Sequence, residues 1–379
     1  MSKVALVGAA LRMAYQHPKL IQSFLQGRFR MAGVRREQLT GNGYSAKPLG
    51  ITLKPTLSCN LRCIMCSYAA SGAVRANPRD SLPLETYKRL VDDVADWKPY
   101  IWFTGGEPTL YPDILPLLSY IRERGLVCGM TSNGTTLTKV ADGIVANPMD
   151  LLVVSLDGRG EVHDKVRGNP RAFQRAYAGV EALQAAKKAA KAPHPAVVIS
   201  TALTPESFRQ AHEMVDVAQE LGAVALNVQH LWMMTASMIA DHNARWGDEQ
   251  YVDPEEWASD ENHGMDPREV VEAVEAIRRK PSRIPIIFQP DMRPEEIVTY
   301  YQSPATFVRR RPAVCAWVNT DILPTGDVSP CFGVVCGNIS TERFTDIWNG
   351  EEFKRHRQRL SVEGDLPICA RCCAYWRRD

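Results

Sequence analysis

No stretch of this 379-residue chain approaches the roughly twenty uninterrupted apolar residues that a membrane-spanning helix needs. Charge of one sign is also scarce. The net charge is +2, too small to argue for nucleic acid as the main partner. An export signal is missing too: the apolar stretch Val4–Leu11 is flanked by Lys3 and Arg12, and no small-residue cleavage site follows. It reads as a helix. Low complexity is absent, and with 45% apolar residues the chain can bury a sizeable core. The length suits one large domain, or one of about 250 residues plus a smaller one.

Cysteine is abundant, and its distribution carries the information. Of ten cysteines, three lie within Cys59–Cys66, six within Cys315–Cys373, and Cys128 stands alone. A disulfide-bonded exported protein of this size spreads its cysteines through the fold. Tight clusters without an export signal point to metal binding in a reducing cytoplasm.

Along the chain, residues 1–49 are basic and mixed in pattern (Lys19, Arg28, Arg30, Arg35, Arg36), which predicts one or two short helices packed on the main domain. The alternative is an amphipathic element making peripheral contact with a membrane surface. From Gly50 onward, apolar runs alternate with helical stretches. Strands are expected at Ile51–Leu57, Tyr100–Thr104, Leu126–Ser132, Leu151–Leu156, Ala196–Leu203, Ala223–Val228 and Pro285–Phe288. Helices are expected at Leu84–Trp97, Asp113–Arg124, Leu137–Ala146, Arg171–Lys188, Pro205–Leu221 and Pro267–Arg279. About six strand–helix repeats argue an α/β barrel or an open parallel sheet, with the chemistry at the C-terminal strand ends. Residues 231–266, rich in Trp, Met, His and acidic residues, interrupt the repeat. They read as a substrate-facing helical excursion or a plain surface insertion. From Cys315 the composition turns to Gly/Pro turns and cysteine, which places a boundary near Arg309–Pro312 between a domain at 50–310 and a smaller one at 311–379.

The segment Cys59-Asn-Leu-Arg-Cys63-Ile-Met-Cys66 directly follows the first strand. Thiolates suit iron–sulfur clusters, and three of them leave one iron of a four-iron cube open to a further ligand. Structural zinc wants a fourth ligand, and no Cys or His follows nearby before Cys128. Cys-x3-Cys-x2-Cys after a first strand resembles the radical S-adenosylmethionine (SAM) superfamily. That resemblance implies a partial (β/α)6 TIM-like barrel. It also implies a [4Fe–4S] cluster on Cys59, Cys63 and Cys66 that chelates SAM and cleaves it to a 5′-deoxyadenosyl radical. The residue before the third cysteine, often aromatic in the family, is Met65 here.

The second strand ends Thr104-Gly105-Gly106-Glu107-Pro108. It resembles the family's GGEP motif, which implies that Glu107 and the Gly105–Pro108 turn hold SAM's amine. Alone, Ser132-Asn133 and Ser155-Leu156-Asp157 read as turn residues. After the preceding motifs, Ser132, Asn133, Ser155 and Asp157 become candidate ribose contacts. His163-Asp164-Lys165-Val166-Arg167-Gly168 resembles the HDxxRG stretch of members with auxiliary clusters. It implies that Arg167 grips SAM's carboxylate, against an ion pair that holds the loop.

At the C-terminal end, Cys315 and Cys331 bracket an expected hairpin turning at Pro324–Asp327, and Cys369-Ala-Arg-Cys372 follows. Four thiolates make a closed site, which by composition is either zinc or a cluster. The spacing, with Gly337-Asn338-Ile339 and Ile347-Trp348-Asn349, resembles the SPASM/Twitch extension: a small hairpin/helix domain holding an auxiliary [4Fe–4S] cluster on Cys315, Cys331, Cys369 and Cys372. The shorter Twitch form with one auxiliary cluster is expected, and Cys336 and Cys373 remain as substitute ligands.

Together these features predict a SAM-cleaving enzyme that oxidises a small-molecule substrate, its auxiliary cluster accepting an electron. The resemblance implies a flavodoxin- or ferredoxin-type donor. Modification of a ribosomally made peptide, action on a lipid, and non-catalytic electron transfer are the alternatives. No residue can be singled out as the catalytic base.

Overall fold

The computed structural model describes residues 18–70, 72, 74, 81–259, 264–308 and 314–372. The apolar stretch at Val4–Leu11, the expected boundary at Arg309–Pro312, and Cys373 lie outside these residues.

Among the described residues, nine strands form one sheet in the order β7-β6-β5-β4-β3-β2-β1-β8-β9. They are β1 Gly50–Leu53, β2 Tyr100–Phe103, β3 Cys128–Ser132, β4 Leu151–Ser155, β5 Ala196–Leu203, β6 Ala225–His230, β7 Ile286–Gln289, β8 Asn319–Ile322 and β9 Val328–Ser329. Strands β1 to β7 pair in parallel with their sequence neighbours, each joined to the next by a helical crossover, and the sheet stays open as a partial barrel. Every expected strand is present. Helices Leu137–Ala146 and Pro267–Arg279 fall on their predicted bounds, whereas the expected Pro205–Leu221 helix begins as a 3-10 turn, Phe208–Glu213, before Met214–Glu220.

Period-two alternation sorts the strand residues. Ile101, Phe103, Met130, Leu152, Val154, Ile199, Leu226 and Val228 are buried in the principal core, among helix residues such as Tyr87, Leu90, Leu117 and Leu118. The opposite face is more polar. Ser155, Ser200 and Asn227 lie in one register row, and Ala202, Gln229 and Gln289 in another. These two rows run across β4 to β7.

The C-terminal hairpin forms as expected, with Gly326 at φ +93° in its turn, but it is not a separate sheet. β8 pairs in parallel with β1, Gly50 opposite Asn319, and the Lys54 ammonium meets Asp321 at 2.7 Å beside that junction. Cys315–Val318, expected to begin the hairpin, is a helical turn. The N-terminal region contributes one long helix, Pro18–Thr40. Its Val34 is buried with Trp317 and Leu360, so the helix packs on the C-terminal elements, while Leu25 and Phe29 stay exposed. Arg357 locks this region together. It is fully buried, donates to the carbonyls of Gly43, Ala316 and Trp348, and lies over the Trp348 and Phe353 rings.

The interrupting segment is helical, with helices Ala236–Trp246 and Pro254–Trp257. Trp257 packs against Tyr68, Trp232 and Phe332 at ring-centroid distances of 6.1, 6.0 and 4.9 Å. The insertion therefore bridges the short helix Ser67–Ala70 after Cys66 and the residue after Cys331. No helix among the described residues is long and apolar enough to cross a membrane.

Candidate active site: a strand-end cavity beside two cysteine clusters

The loop that leaves β1 carries Cys59, Cys63 and Cys66, all half-buried. Two neighbouring motifs hold it. The first is the double glycine after β2. A side chain at Gly105 would place its Cβ 2.7 Å from the Thr56 carbonyl oxygen, and one at Gly106 would sit 2.3 Å from that of Ser58. The Gly106 and Glu107 amides donate to those same two carbonyls at 2.9 and 2.8 Å. These glycines are thus required by the approach of the thiol loop itself.

The second support is helix Glu161–Arg167. The Arg62 and Ile64 amides donate to the Arg167 and Val166 carbonyls, at 3.1 and 3.0 Å. Gly168, at φ +61°, ends the helix where a Cβ would lie 2.2 Å from the Arg62 carbonyl oxygen. His163, Asp164 and Arg167 of the His163–Gly168 motif each have a partner. His163 Nδ1 accepts from the Asp157 amide, and Asp164 accepts from the amides of Arg171 and Phe173. Arg167 meets Asp157 Oδ2 at 2.7 Å, an ion pair whose angle falls outside hydrogen-bond geometry, and its Nη1 points to Cys63 Sγ at 3.6 Å. Desolvation works against the guanidinium charge, but Asp157 and Cys63 outweigh it and the group stays charged. Its Nε has no partner.

Glu107 faces away from open space. It is 1% exposed and accepts from Thr109 N, Thr109 Oγ1, Ser132 Oγ and Asn133 N, at 3.2, 2.6, 2.8 and 2.7 Å. Burial nonetheless pushes its pKa up, with these donors pulling the other way. Of the roughly four lone-pair positions on a carboxylate, nearly all are taken. Glu107 thus pins the end of β3 to the end of β2. Asn133 is likewise committed, donating to Asn60 Oδ1 at 3.0 Å and pointing its amide at Cys59 Sγ, 3.9 Å away.

A cavity of about 250 Å³ opens at the C-terminal ends of β4 to β7. Three of the nine expected SAM-pocket residues line it: Ser155, Asp157 and Arg167. Gly105, Gly106, Glu107, Pro108, Ser132 and Asn133 are not among its lining residues; Gly105, Gly106 and Glu107 lie against the thiol loop, and Asn133 holds Asn60 within it. Met65 lines the cavity beside Arg167. Its far wall includes Ser200, Gln229, His230, Gln289 and Tyr300, none of which sequence reasoning singled out. The two polar register rows were the available signal, but reading them requires knowing which strands are adjacent. His230 is 6% exposed. Its Nδ1 faces the Tyr301 hydroxyl at 3.0 Å, its Nε2 has no partner, and burial, aided by Arg278, pulls its pKa down to about 3.

Arg371, from the Cys369–Cys372 loop, also lines the cavity. Its donors are spent on the carbonyls of Thr299, Tyr300, Ser303, Thr306 and Ala370, which fastens that loop to the end of helix Pro294–Gln302. Behind it, Cys315, Cys331 and Cys369 share one neighbourhood. Burial pushes the Cys369 thiol far up, and the nearby charges of Cys315 and Cys331 add to this. Cys336 lies elsewhere: after burial, its influences are Arg357, Glu352 and Arg355. Among the described residues, no three His, Cys, Asp or Glu side chains converge on a single-ion site.

A partial α/β barrel whose strand-end cavity is lined by Met65 from one cysteine-rich segment and Arg371 from another has the make-up of an iron–sulfur enzyme. The comparisons give its family. The family model of the radical SAM superfamily matches residues 53–229, and that of an iron–sulfur cluster-binding domain, SPASM, matches residues 315–373. The chain belongs to the radical SAM superfamily and carries a SPASM domain. Its cofactors are accordingly a [4Fe–4S] cluster, SAM and auxiliary iron–sulfur chemistry. The AdoMet-dependent heme synthase of Methanosarcina barkeri is 28% identical over 331 residues, covering 85% of this chain and 88% of that protein. Mycofactocin maturase MftC of Mycobacterium tuberculosis is 30% identical over 179 residues, 46% of this chain and 43% of that one. Streptococcus suis SuiB bound to S-adenosylmethionine superposes with a TM-score of 0.61 at 15% identity, over 96% of this chain and 82% of that one, and shares the fold.

The residues present fit these groups. The donor sets are thiols, the ligands that iron–sulfur clusters take. Uncharged and cationic N–H donors of Asn133 and Arg167 point at Cys59 and Cys63, where thiolate charge needs compensation.

Proposed function

We propose that this chain oxidises a small molecule, with Cys59, Cys63 and Cys66 holding the SAM cluster and Cys315, Cys331, Cys369 and Cys372 an auxiliary one. When bound, the first cluster and SAM supply a 5′-deoxyadenosyl radical that takes a hydrogen atom from substrate, and the auxiliary cluster supplies an acceptor for the electron left behind. The observation that carries the reading is one cavity walled on one side by Met65 and Arg167, beside the early thiols, and on another by Arg371, between two late ones.

The residues then divide the work. Gly105, Gly106 and Gly168 let the thiol loop lie in its bed, and Arg167 and Asn133 offset its charge. Ser155 and Asp157 offer polar contacts to SAM. Ser200, Gln229 and Gln289 offer a neutral polar wall to substrate. His230, held neutral by burial, serves there as a hydrogen-bonding group and not as the base that removes a proton. The heme synthase relatives, matching most of both chains, make tetrapyrroles the first substrate class to try, whereas the peptide maturase likeness covers less than half of each. A reducing cytoplasm and a flavodoxin- or ferredoxin-type donor suit the thiol-rich sites.

The test uses anaerobically reconstituted protein with SAM and dithionite, plus iron-coproporphyrin III in one arm and a mixed peptide pool in the other. Formation of 5′-deoxyadenosine above the substrate-free level in the small-molecule arm supports the reading. Stimulation by peptides alone overturns it.

A further inference from the structure

Residues 247–252, which leave helix Ala236–Trp246, form a strap held from three sides. The Gln250 amide donates to the Trp246 carbonyl at 2.7 Å, and His242 Nε2 donates to the Gln250 carbonyl at 2.8 Å. Asn243 then clamps the Val252 backbone, accepting from its N–H at 2.9 Å and donating to its carbonyl at 2.7 Å. The strap lies tight on the residues after Cys331. Gly333, at φ +71°, would put a Cβ 2.9 Å from the Tyr251 carbonyl oxygen.

The strap delivers one side chain inward. Gln250 is fully buried, and its Nε2 donates to the Phe332 carbonyl at 2.6 Å and to Cys331 Sγ at 3.1 Å. The Phe332 carbonyl can only accept, so it fixes which end of the amide faces the thiol; the reversed amide would set oxygen against oxygen. The other end, Oε1, is buried without a partner. An unmatched buried carbonyl is destabilising, and such costs persist where a side chain serves more than packing.

A donor aimed at a ligand sulfur favours the more negative, reduced cluster, because the N–H dipole compensates the added charge. Hydrogen bonds to sulfur are among the factors that set cluster potentials. We propose that Gln250 raises the reduction potential of the auxiliary cluster by donating to Cys331 Sγ, making that cluster a better acceptor for an electron from the substrate radical. This rests on Cys331 as an auxiliary ligand, and not on the substrate class. It makes Gln250, from the insertion, a positioning residue for the site.

The experiment uses the full chain with Cys59, Cys63 and Cys66 changed to alanine, so that only the auxiliary cluster is titrated by EPR against a graded series of potentials. Gln250→Leu removes the donor, and Gln250→Glu keeps the size while offering an acceptor. Both are expected to lower the midpoint. A tenfold fall in the reduction equilibrium, ~59 mV for one electron, is the anticipated scale. An unchanged midpoint in Gln250→Leu with auxiliary iron retained overturns the proposal. So does loss of auxiliary iron from both variants in a folded chain, because the side chain is then a latch. Cys331→Ala is measured beside them. If its auxiliary signal survives, the ligand assignment has failed and the proposal falls with it, a result distinct from an unmoved midpoint.

Discussion

The buried pair Asp157–Arg167 permits a quantitative test of how the thiol loop is supported. Asp157 is fully buried and Arg167 is 9% exposed, so solvent screens their 2.7 Å contact little. Replacing Asp157 with Asn keeps the shape, and keeps an acceptor for the Ala202 amide that now donates to Oδ1 at 2.9 Å. What is lost is the charge opposite a guanidinium that has no other carboxylate partner among the described residues. Removing one member of a buried pair typically costs about 3–5 kcal/mol, and the retained hydrogen bond puts this case near ~3. The Arg62 and Ile64 amides report it directly, since they donate to the Arg167 and Val166 carbonyls. If local opening governs their hydrogen exchange, Asp157→Asn should speed it by about 150-fold in the reconstituted protein. Adding Arg167→Met to the same chain should recover part of the loss, because no unpaired charge then stays buried. If the two substitutions instead add to within about 0.5 kcal/mol, the pair does not couple and the reasoning fails.

Three further outcomes are expected. Gly106→Ala should deplete the first cluster's iron while sparing the auxiliary one, because its Cβ would lie 2.3 Å from the Ser58 carbonyl oxygen; full iron by chemical assay contradicts this. Cys336→Ser should leave iron at the wild-type level, about eight atoms per chain for two four-iron cubes, whereas Cys369→Ala should lose about half; iron and sulfide counts decide. Burial holds the folded pKa of His163 and His230 at about 3, below the ordinary ~6.5 of the unfolded chain. The unfolded state therefore takes up protons first, and stability is full above ~6.5 and falls as pH drops toward 3, by up to about 1.4 kcal/mol per unit for each histidine. Denaturant midpoints at pH 7.0 and 5.5 should diverge, and His230→Gln should narrow the gap; an equal gap in both proteins refutes the assignment.

Much of this architecture could be read from the chain because its signals are local. Most of the parallel strands carry a short apolar run whose alternate residues are buried in the core, and the thiol spacing lies within eight residues. The hairpin turn announced itself through Gly326, whose φ of +93° few other residues adopt. Side-chain roles were less legible. Glu107, Ser132 and Asn133 have the polar character of ligand contacts, and the structure also joins them to one another, a network that sequence spacing does not show. Likewise, nothing in the spacing of Asn319 shows that β8 would extend the barrel sheet beside Gly50, a pairing that joins residues 269 positions apart.

The least legible segment, 231–266, has the most consequence for how the two thiol groups relate. Its described residues carry no strand, and its sequence holds no cysteine and no motif, so periodicity and spacing are silent about it. In the fold it places Trp232 in the cavity wall, Trp257 between Tyr68 and Phe332, and Gln250 on the Cys331 sulfur. The Trp257 and Gln250 contacts are made across more than seventy residues of sequence, by side chains whose composition alone suits an ordinary core. An insertion that touches both thiol loops and the cavity between them can adapt substrate fit and auxiliary potential together while the barrel stays constant. Its residues, rather than the cysteines, are where members of this superfamily with the same thiol spacing should differ in reaction.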